Sequence, residues 1–242
     1  MKMLINYRET KEGHKKTMNI LAASIMCANQ LNLKEELQEL EKAEVELLHC
    51  DVMDGVFVNN LAMGPYVLEE LKKATSIPLD IHLATVQPTK YIEMFAPIQP
   101  EYISFHVEAS ENVGKDIELI RENGIQPVLA LSPDSPIELI KPYLSEVSMI
   151  LMMTVNPGFA GQKFNFNVLK KIDELNSLLE NIENKPLIQV DGNINQETMP
   201  ALLERGANVY VLGTSELFNS NEGTYKEKIA HVKQLFPEIS HS

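Results

Sequence analysis

The chain has 242 residues, of which 44% are hydrophobic and 23% are charged, proportions typical of a globular protein with a sizeable core. Its formal net charge of −13 leaves no extended basic surface for a phosphate backbone, so we expect no nucleic-acid partner. No apolar run reaches the length of a membrane span, and residues 1–17 lack the apolar centre of a signal peptide. We therefore expect no membrane contact and a cytoplasmic location.

Eight short apolar runs predict β-strands, and a segment with a helical pattern follows each of them. The predicted strands are 20–25, 47–53, 77–83, 102–107, 127–131, 149–155, 187–190 and 209–212. The clearest amphipathic helices are predicted at 33–43, 65–74, 113–122, 168–179 and 197–205. The helical pattern after the fifth strand is the weakest, because Pro136 and Pro142 bracket only a few residues.

Strict alternation of strands and helices predicts a parallel sheet with right-handed crossovers. Eight such units can close into a (β/α)8 barrel, although a doubly wound open sheet accepts the same alternation. Polar residues at the ends of different strands favour the barrel, whose strands all end around one mouth. These residues are Ser24, Asp51, His82, His106, Thr154, Asp191 and Thr214. We predict one α/β domain, a TIM barrel over residues 18–242, with residues 1–17 as a polar amino-terminal extension.

The most informative short segment contains His49, Asp51 and Met53, which alternate within an apolar run. On a strand all three side chains point to one face, so a ligand pair at i and i+2 needs no special loop. With His82 and Asp191 the segment supplies two imidazoles and two carboxylates. That set suits one divalent metal flanked by two groups that transfer protons.

Two cysteines, Cys27 and Cys50, are too few for a disulfide framework. Cys50 would face the opposite side of its strand from His49 and Asp51. We expect both thiols to be reduced and mostly buried, since a free cysteine packs as a small apolar group.

Six longer motifs run in order from about residue 18 to the carboxyl end. They are Ala23-Ser24-Ile25, His49-x-Asp51-Val52-Met53-Asp54-Gly55-x-Phe57-Val58-x-Asn60, Pro78-Leu79-Asp80-Ile81-His82-Leu83, Met153-Thr154-Val155-Asn156-Pro157-Gly158-Phe159-Ala160-Gly161-Gln162, Val190-Asp191-Gly192 and Gly213-Thr214. Together they resemble the ribulose-phosphate 3-epimerase family, and the resemblance implies a TIM barrel of the ribulose-phosphate binding type. It also implies a homo-oligomer.

The resemblance implies one divalent metal ion, Zn²⁺, Fe²⁺, Mn²⁺ or Co²⁺, held by His49, Asp51, His82 and Asp191. It further implies that Asp51 and Asp191 are the catalytic acid and base, on opposite faces of a sugar phosphate. Removing the proton beside a ketone gives an enediolate, whose oxygen charge the metal would stabilise. Returning a proton to the other face completes a 1,1-proton transfer.

The resemblance also implies a set of substrate contacts. Side chains of Ser24, Met53, His82 and Met153 are expected around the sugar, and backbone donors of Gly158, Phe159, Ala160, Gly161, Gly192, Asn193, Gly213 and Thr214 around the phosphate. A third methionine of the family pattern, two residues after His82, is replaced by Ala84. The smaller side chain leaves room beside the sugar.

Three departures bear on the substrate: Ala160 and Asn193 each replace a glycine of the commonest family pattern, and Thr214 replaces a serine. With their neighbours they look more like the D-allulose-6-phosphate 3-epimerase branch. A longer substrate moves its phosphate relative to C3, so the phosphate loops are where the change should appear. This favours interconversion of D-allulose 6-phosphate and D-fructose 6-phosphate; the alternative is D-ribulose 5-phosphate and D-xylulose 5-phosphate.

Two rival classes use the same fold. A phosphate-binding barrel lyase of the orotidine-phosphate decarboxylase kind needs a lysine at a strand end, and no predicted strand ends in one. A non-catalytic sugar-phosphate binding barrel would be expected to lack one of the carboxylates or ligands, and all four are present.

Overall fold

The computed structural model describes residues 8–9, 15–16 and 19–236. Eight parallel strands form a closed barrel in which each strand pairs with its neighbours along the chain, and the last pairs with the first. They are β1 (Ile20–Ser24), β2 (Leu47–Met53), β3 (Leu79–Ala84), β4 (Tyr102–His106), β5 (Gln126–Leu131), β6 (Met149–Met153), β7 (Leu187–Asp191) and β8 (Val209–Leu212). The predicted TIM barrel is confirmed, and the pairing of Val209 with Ile20 excludes the open sheet.

Seven α-helices surround the barrel in the described part of the chain. They are α1 (Leu33–Lys42), α2 (Pro65–Ala74), α3 (Pro88–Phe95), α4 (Val113–Glu122), α5 (Asn167–Leu179), α6 (Met199–Leu203) and α7 (Tyr225–Lys233). Four of the five clearest predicted helices agree within one residue at each end. The fifth, predicted at 197–205, is shorter because Asn195 Oδ1 accepts the backbone N–H groups of Glu197 and Thr198, which closes a side-chain turn before α6.

The segment after β5 has no α-helix, so the prediction of a helix there is wrong. Two 3₁₀ turns, Ile137–Leu139 and Lys141–Tyr143, take its place. Pro136 and Pro142 have no backbone N–H and a fixed φ, which prevents a continuous helix from forming across this short segment. Ile140 is still fully buried, so the turns cover the barrel as a helix would.

The barrel interior is divided by height. Side chains of β2 alternate, and Leu48, Cys50 and Val52 pack outward among the helices. The inward positions near the amino ends of the strands are apolar, as at Leu47 and Met149. Polar side chains follow on the inward faces of β2, β3 and β7, where His49, Asp80 and Gln189 lie deeper and Asp51, His82 and Asp191 lie nearer the mouth.

Most of the predicted polar extension, residues 1–17, lies outside the described residues. What the structure describes of it is an antiparallel pair of two-residue strands, Arg8–Glu9 with Lys15–Lys16. None of the described helices is long and apolar enough to cross a membrane.

Candidate active site

A cavity of about 310 Å³ opens at the carboxyl ends of the strands. Both predicted catalytic residues and every predicted substrate contact line it, namely Ser24, Asp51, Met53, His82, Met153, Gly158, Phe159, Ala160, Gly161, Asp191, Gly192, Asn193, Gly213 and Thr214. Ala84 lines it as well. The cavity is therefore built from residues that are dispersed over the whole barrel sequence.

Four side chains converge on the floor of this cavity. Each of His49, Asp51, His82 and Asp191 offers one nitrogen or carboxylate oxygen, and these four atoms all lie within 4.8 Å of one another. The cluster could therefore hold a metal ion. Asp51 and His82 are register partners on β2 and β3, which places them at one height. His49 lies one inward position deeper and is fully buried, and Asp191 reaches the cluster from β7.

Asp80 sets the orientation of the His49 ring, and Gln189 holds Asp80 in place. Its Nδ1 lies 2.7 Å from Asp80 Oδ2, and Gln189 Nε2 donates to the same oxygen over 2.6 Å. Because a carboxylate can only accept there, His49 carries a proton on Nδ1, and its Nε2 is the ring nitrogen that faces the cluster. That Nε2 is buried without a hydrogen-bond partner, at 3.5 Å from Asp51 Oδ1 and 3.9 Å from Asp191 Oδ2.

When His49 Nε2 is unprotonated, it and the two carboxylate oxygens are all acceptors, and a cation among them would satisfy all three. Among the described residues that line the cavity there is no lysine or arginine. The donor set of this chain therefore fits a divalent metal.

The pKa values of the two carboxylates of the cluster are moved in opposite directions. Burial raises the pKa of Asp51, but His49 and His82 beside it more than offset this and hold the pKa well below its usual range. Burial also raises the pKa of Asp191, and the negative charges of Asp51 and Asp80 raise it further, against the opposing effect of His49. Two titratable groups with pKa values moved apart are the pattern of an acid and base pair.

Two polar side chains contact Asp51 from two sides. Ser24 Oγ donates to its Oδ2 over 3.2 Å, and His82 Nδ1 lies 3.0 Å from its Oδ1. Ser24 therefore lines the cavity, as predicted for a substrate contact, and it also donates a hydrogen bond to a carboxylate of the cluster.

Glycines form the opposite side of the cavity. Gly192 has φ +119°, and a Cβ there would lie 2.5 Å from Val155 Cγ2 and 2.8 Å from the Val155 backbone nitrogen. Gly158 has φ +123°, and its carbonyl accepts a hydrogen bond from Asn60 Nδ2 over 2.7 Å. These positions require glycine, because other residues rarely adopt such angles.

Several side chains of the site escaped the sequence analysis. Asp80 and Gln189 lie two residues before His82 and Asp191, so the period-two rule could have placed both on the inward face. Cys27 was expected to be mostly buried, and it is instead half-buried and lines the cavity. Burial raises the pKa of its thiol.

The comparisons with known proteins agree with this geometry. The model of the Ribulose-phosphate 3 epimerase family matches residues 20–218. Ribulose-phosphate 3-epimerase of Bacillus subtilis (strain 168) is 39% identical over 214 residues, which cover 88% of this chain and 97% of the relative. The Helicobacter pylori (strain J99) enzyme of the same name is 37% identical over 202 residues, which cover 84% of this chain and 92% of the relative.

A solved structure supports the fold alone. The 3-hexulose-6-phosphate synthase of Salmonella typhimurium superposes with a TM-score of 0.62 at 17% identity, covering 90% of this chain and 98% of that one. With two sequence relatives above 30% identity over nearly their whole length, the chain belongs to the ribulose-phosphate 3-epimerase family of carbohydrate-phosphate epimerases and is an enzyme.

Proposed function

We propose that this protein interconverts D-ribulose 5-phosphate and D-xylulose 5-phosphate by moving the proton at C3. The observation that carries the proposal is the cluster of two carboxylates and two imidazoles on the floor of the barrel mouth, in a chain whose relatives bear the name of this reaction. A barrel lyase of the orotidine-phosphate decarboxylase kind needs a lysine at a strand end, and none is present among the described residues that line the cavity. The second rival, a non-catalytic binding barrel, does not agree with membership of an enzyme family.

His49, Asp51, His82 and Asp191 would hold one divalent cation, and their nitrogen and oxygen donors suit Zn²⁺, Fe²⁺, Mn²⁺ or Co²⁺. When bound, such a cation would stabilise the negative charge on the sugar oxygens of the enediolate. Asp80 and Gln189 contribute by holding His49 with its Nε2 toward the cluster.

Asp51 and Asp191 are the proposed proton-transfer groups. They approach the cluster from β2 and β7, two strands on different sides of the barrel, which suits one carboxylate to each face of the substrate plane. Without a cation the pKa values of the two carboxylates are moved apart, that of Asp51 downward and that of Asp191 upward, which is the pattern of a base and an acid. In the reverse direction the two exchange roles.

The rest of the cavity would hold the sugar phosphate. Met53 and Met153 contribute apolar, polarizable surface beside the reacting plane. Backbone of the loops after β6, β7 and β8 would hold the phosphate, which is the common arrangement in this fold. The segments concerned are Gly158 to Gly161, Gly192 with Asn193, and Gly213 with Thr214.

The sequence analysis favoured D-allulose 6-phosphate, and the relatives do not support that preference. The residues behind it, Ala160, Asn193 and Thr214, all line the cavity, so they remain the positions at which substrate length would be read. The homo-oligomer and the cytoplasmic location stay predictions, and light scattering of the purified protein would check the first.

The test is a comparison of kcat/KM on both ketose phosphates with one metal-loaded preparation. We expect turnover of ribulose 5-phosphate to exceed that of allulose 6-phosphate by at least tenfold, about 1.4 kcal/mol of transition-state discrimination. A preference of that size for allulose 6-phosphate would assign the chain to the other substrate. No epimerisation of either sugar would reject the proposal.

A further inference from the structure

Behind His82, on the side away from Asp51, a row of hydrogen bonds leads out of the cluster. His82 Nε2 lies 3.0 Å from His106 Nε2, and His106 Nδ1 lies 3.2 Å from Glu108 Oε2. Both imidazoles are buried, whereas the Glu108 side chain is 20% exposed. Neither His106 nor Glu108 lines the cavity, so the proposed reaction gives them no direct part.

Two imidazole nitrogens 3.0 Å apart share one proton, so one ring donates and the other accepts. If His106 Nε2 donates, its Nδ1 presents a lone pair to the Glu108 carboxylate, and two acceptors then face each other. If His82 Nε2 donates, the proton of His106 is on Nδ1 and points at Glu108. The second arrangement gives both of these contacts one donor and one acceptor, and it leaves the His82 Nδ1 lone pair facing Asp51 Oδ1 at 3.0 Å, where a cation between the two acceptors would satisfy both.

Glu108 is held as an acceptor by a second contact. Its Oε1 accepts the backbone N–H of Ser132 over 2.7 Å, which leaves Oε2 for His106. Burial raises the pKa of Glu108, but the contact with His106 outweighs it and lowers the pKa to about 2. The Phe57 ring packs on His106 with ring centroids 4.7 Å apart, which limits rotation of the imidazole.

We propose that Glu108 and His106 are positioning residues that fix His82 with its proton on Nε2, so that the Nδ1 lone pair is presented to Asp51 and the metal site. Asp80 fixes the proton position of His49 by direct contact, whereas Glu108 fixes that of His82 through the intervening His106 ring. Outer hydrogen bonds of this kind set the tautomer and the basicity of a ligand histidine. The inference rests on the proposed metal centre.

Glu108→Gln is the sharpest variant, because it nearly conserves shape and reverses the direction of donation. The Ser132 N–H still requires an oxygen at its side of residue 108, so the amide nitrogen is placed toward His106 Nδ1. An NH₂ there forces the His106 proton to Nε2, and His106 then donates to His82. The His82 proton moves to Nδ1 and blocks the ligand position.

The measurement is the affinity of the purified, metal-free protein for Co²⁺, by competition with a chelator, together with the visible absorption of the bound ion. We expect Glu108→Gln to weaken Co²⁺ binding roughly 10- to 100-fold and to change the absorption. Glu108→Ala removes the preference for a proton on His106 Nδ1 without reversing it, so we expect it to lower the Co²⁺ affinity less than Glu108→Gln does. Glu111→Gln, on an exposed side chain three positions along the chain, is the matched control and should bind as the wild type does.

A double variant tests the route. In a His106→Phe background the relay has no ring nitrogen, so adding Glu108→Gln should cause no further loss of affinity. Full loss in that background, equal losses for Gln and Ala at position 108, or wild-type affinity and spectrum for Glu108→Gln would each overturn the inference. A wild-type protein that binds no Co²⁺ would instead overturn the proposed metal centre, and the inference with it.

Discussion

The two walls of the cavity are built differently. The wall formed by β1 to β4 presents side chains, and His49, Asp51 and His82 are each no more than 3% exposed and held by hydrogen bonds from further buried groups. The wall formed by β6 to β8 and their loops, called the backbone wall, contains all the glycines of the cavity lining and contributes one cluster residue, Asp191, whose side chain is 18% exposed. The glycines are Gly158, Gly161, Gly192 and Gly213. A rigid wall of side chains suits fixed positions for protons and ligands, whereas a wall of backbone suits an anion whose position varies with the substrate.

The two walls also differ in how closely they follow the family pattern. Ala160, Asn193 and Thr214, which depart from the commonest family pattern, all belong to the backbone wall. The first wall keeps the family motif at His49, Asp51 and His82. A change at these three positions would therefore leave the side chains of His49, Asp51 and His82 in the first wall undisturbed, whereas Asp191 lies in the same wall as the changed positions.

Metal removal is expected to have the largest effect. Chelation should lower kcat by more than roughly a thousandfold, because two carboxylates alone cannot stabilise an enediolate, and Zn²⁺, Mn²⁺ or Co²⁺ should restore it. Activity is to be followed beside metal content, with circular dichroism as the control for folding. Full turnover by protein without detectable metal would contradict the prediction.

The carboxylates of the two walls are expected to act on different faces of the substrate. Asp191→Asn should lower epimerisation roughly a hundredfold or more. In a metal-loaded sample it should still let solvent deuterium enter C3 from the face served by Asp51. Mass spectrometry of recovered sugar phosphate measures the exchange.

Asp51→Asn is the matched variant and should show the complementary pattern when started from the epimeric substrate. Metal content must be measured for both, since each aspartate is also a proposed ligand and a lost metal would imitate a lost base. Epimerisation at the wild-type rate in either metal-loaded variant would mean that one base serves both faces.

The smallest predicted effect concerns the glycines of the backbone wall. Gly192→Ala should lower the free energy of unfolding by about 1–3 kcal/mol, because its Cβ meets the Val155 backbone nitrogen at 2.8 Å and its φ is +119°. Gly213→Ala is the control: its Cβ meets only Cys27 Sγ, at 3.4 Å, and we expect a change within about 0.5 kcal/mol. Urea unfolding of both variants distinguishes them, and equal stability would show that the backbone wall adjusts freely.

Much of the fold was predictable because burial has a period. Leu47–Met53 was predicted with its observed bounds, and Pro65–Ala74 and Val113–Glu122 likewise, since apolar spacing and proline positions mark those elements locally. The segment after β5 was not predictable in this way, because its apolar residues have helical spacing while its prolines prevent the helix. The apolar spacing there favours a helix, the prolines prevent one, and the segment forms two short 3₁₀ turns instead.

By itself the sequence determined which residue types are available and which face of its strand each one takes, because side-chain direction alternates in any strand. On that basis His49 and Asp51 share a face, with Cys50 behind them. The strand-end position of Asp191 and the family resemblance predicted that it joins them, and only the tertiary structure decided which nitrogen of His49 faces the cluster. Barrel closure brings β7 within reach of β2, and the orientation of His49 depends on Asp80 and Gln189, which come from two other places in the chain.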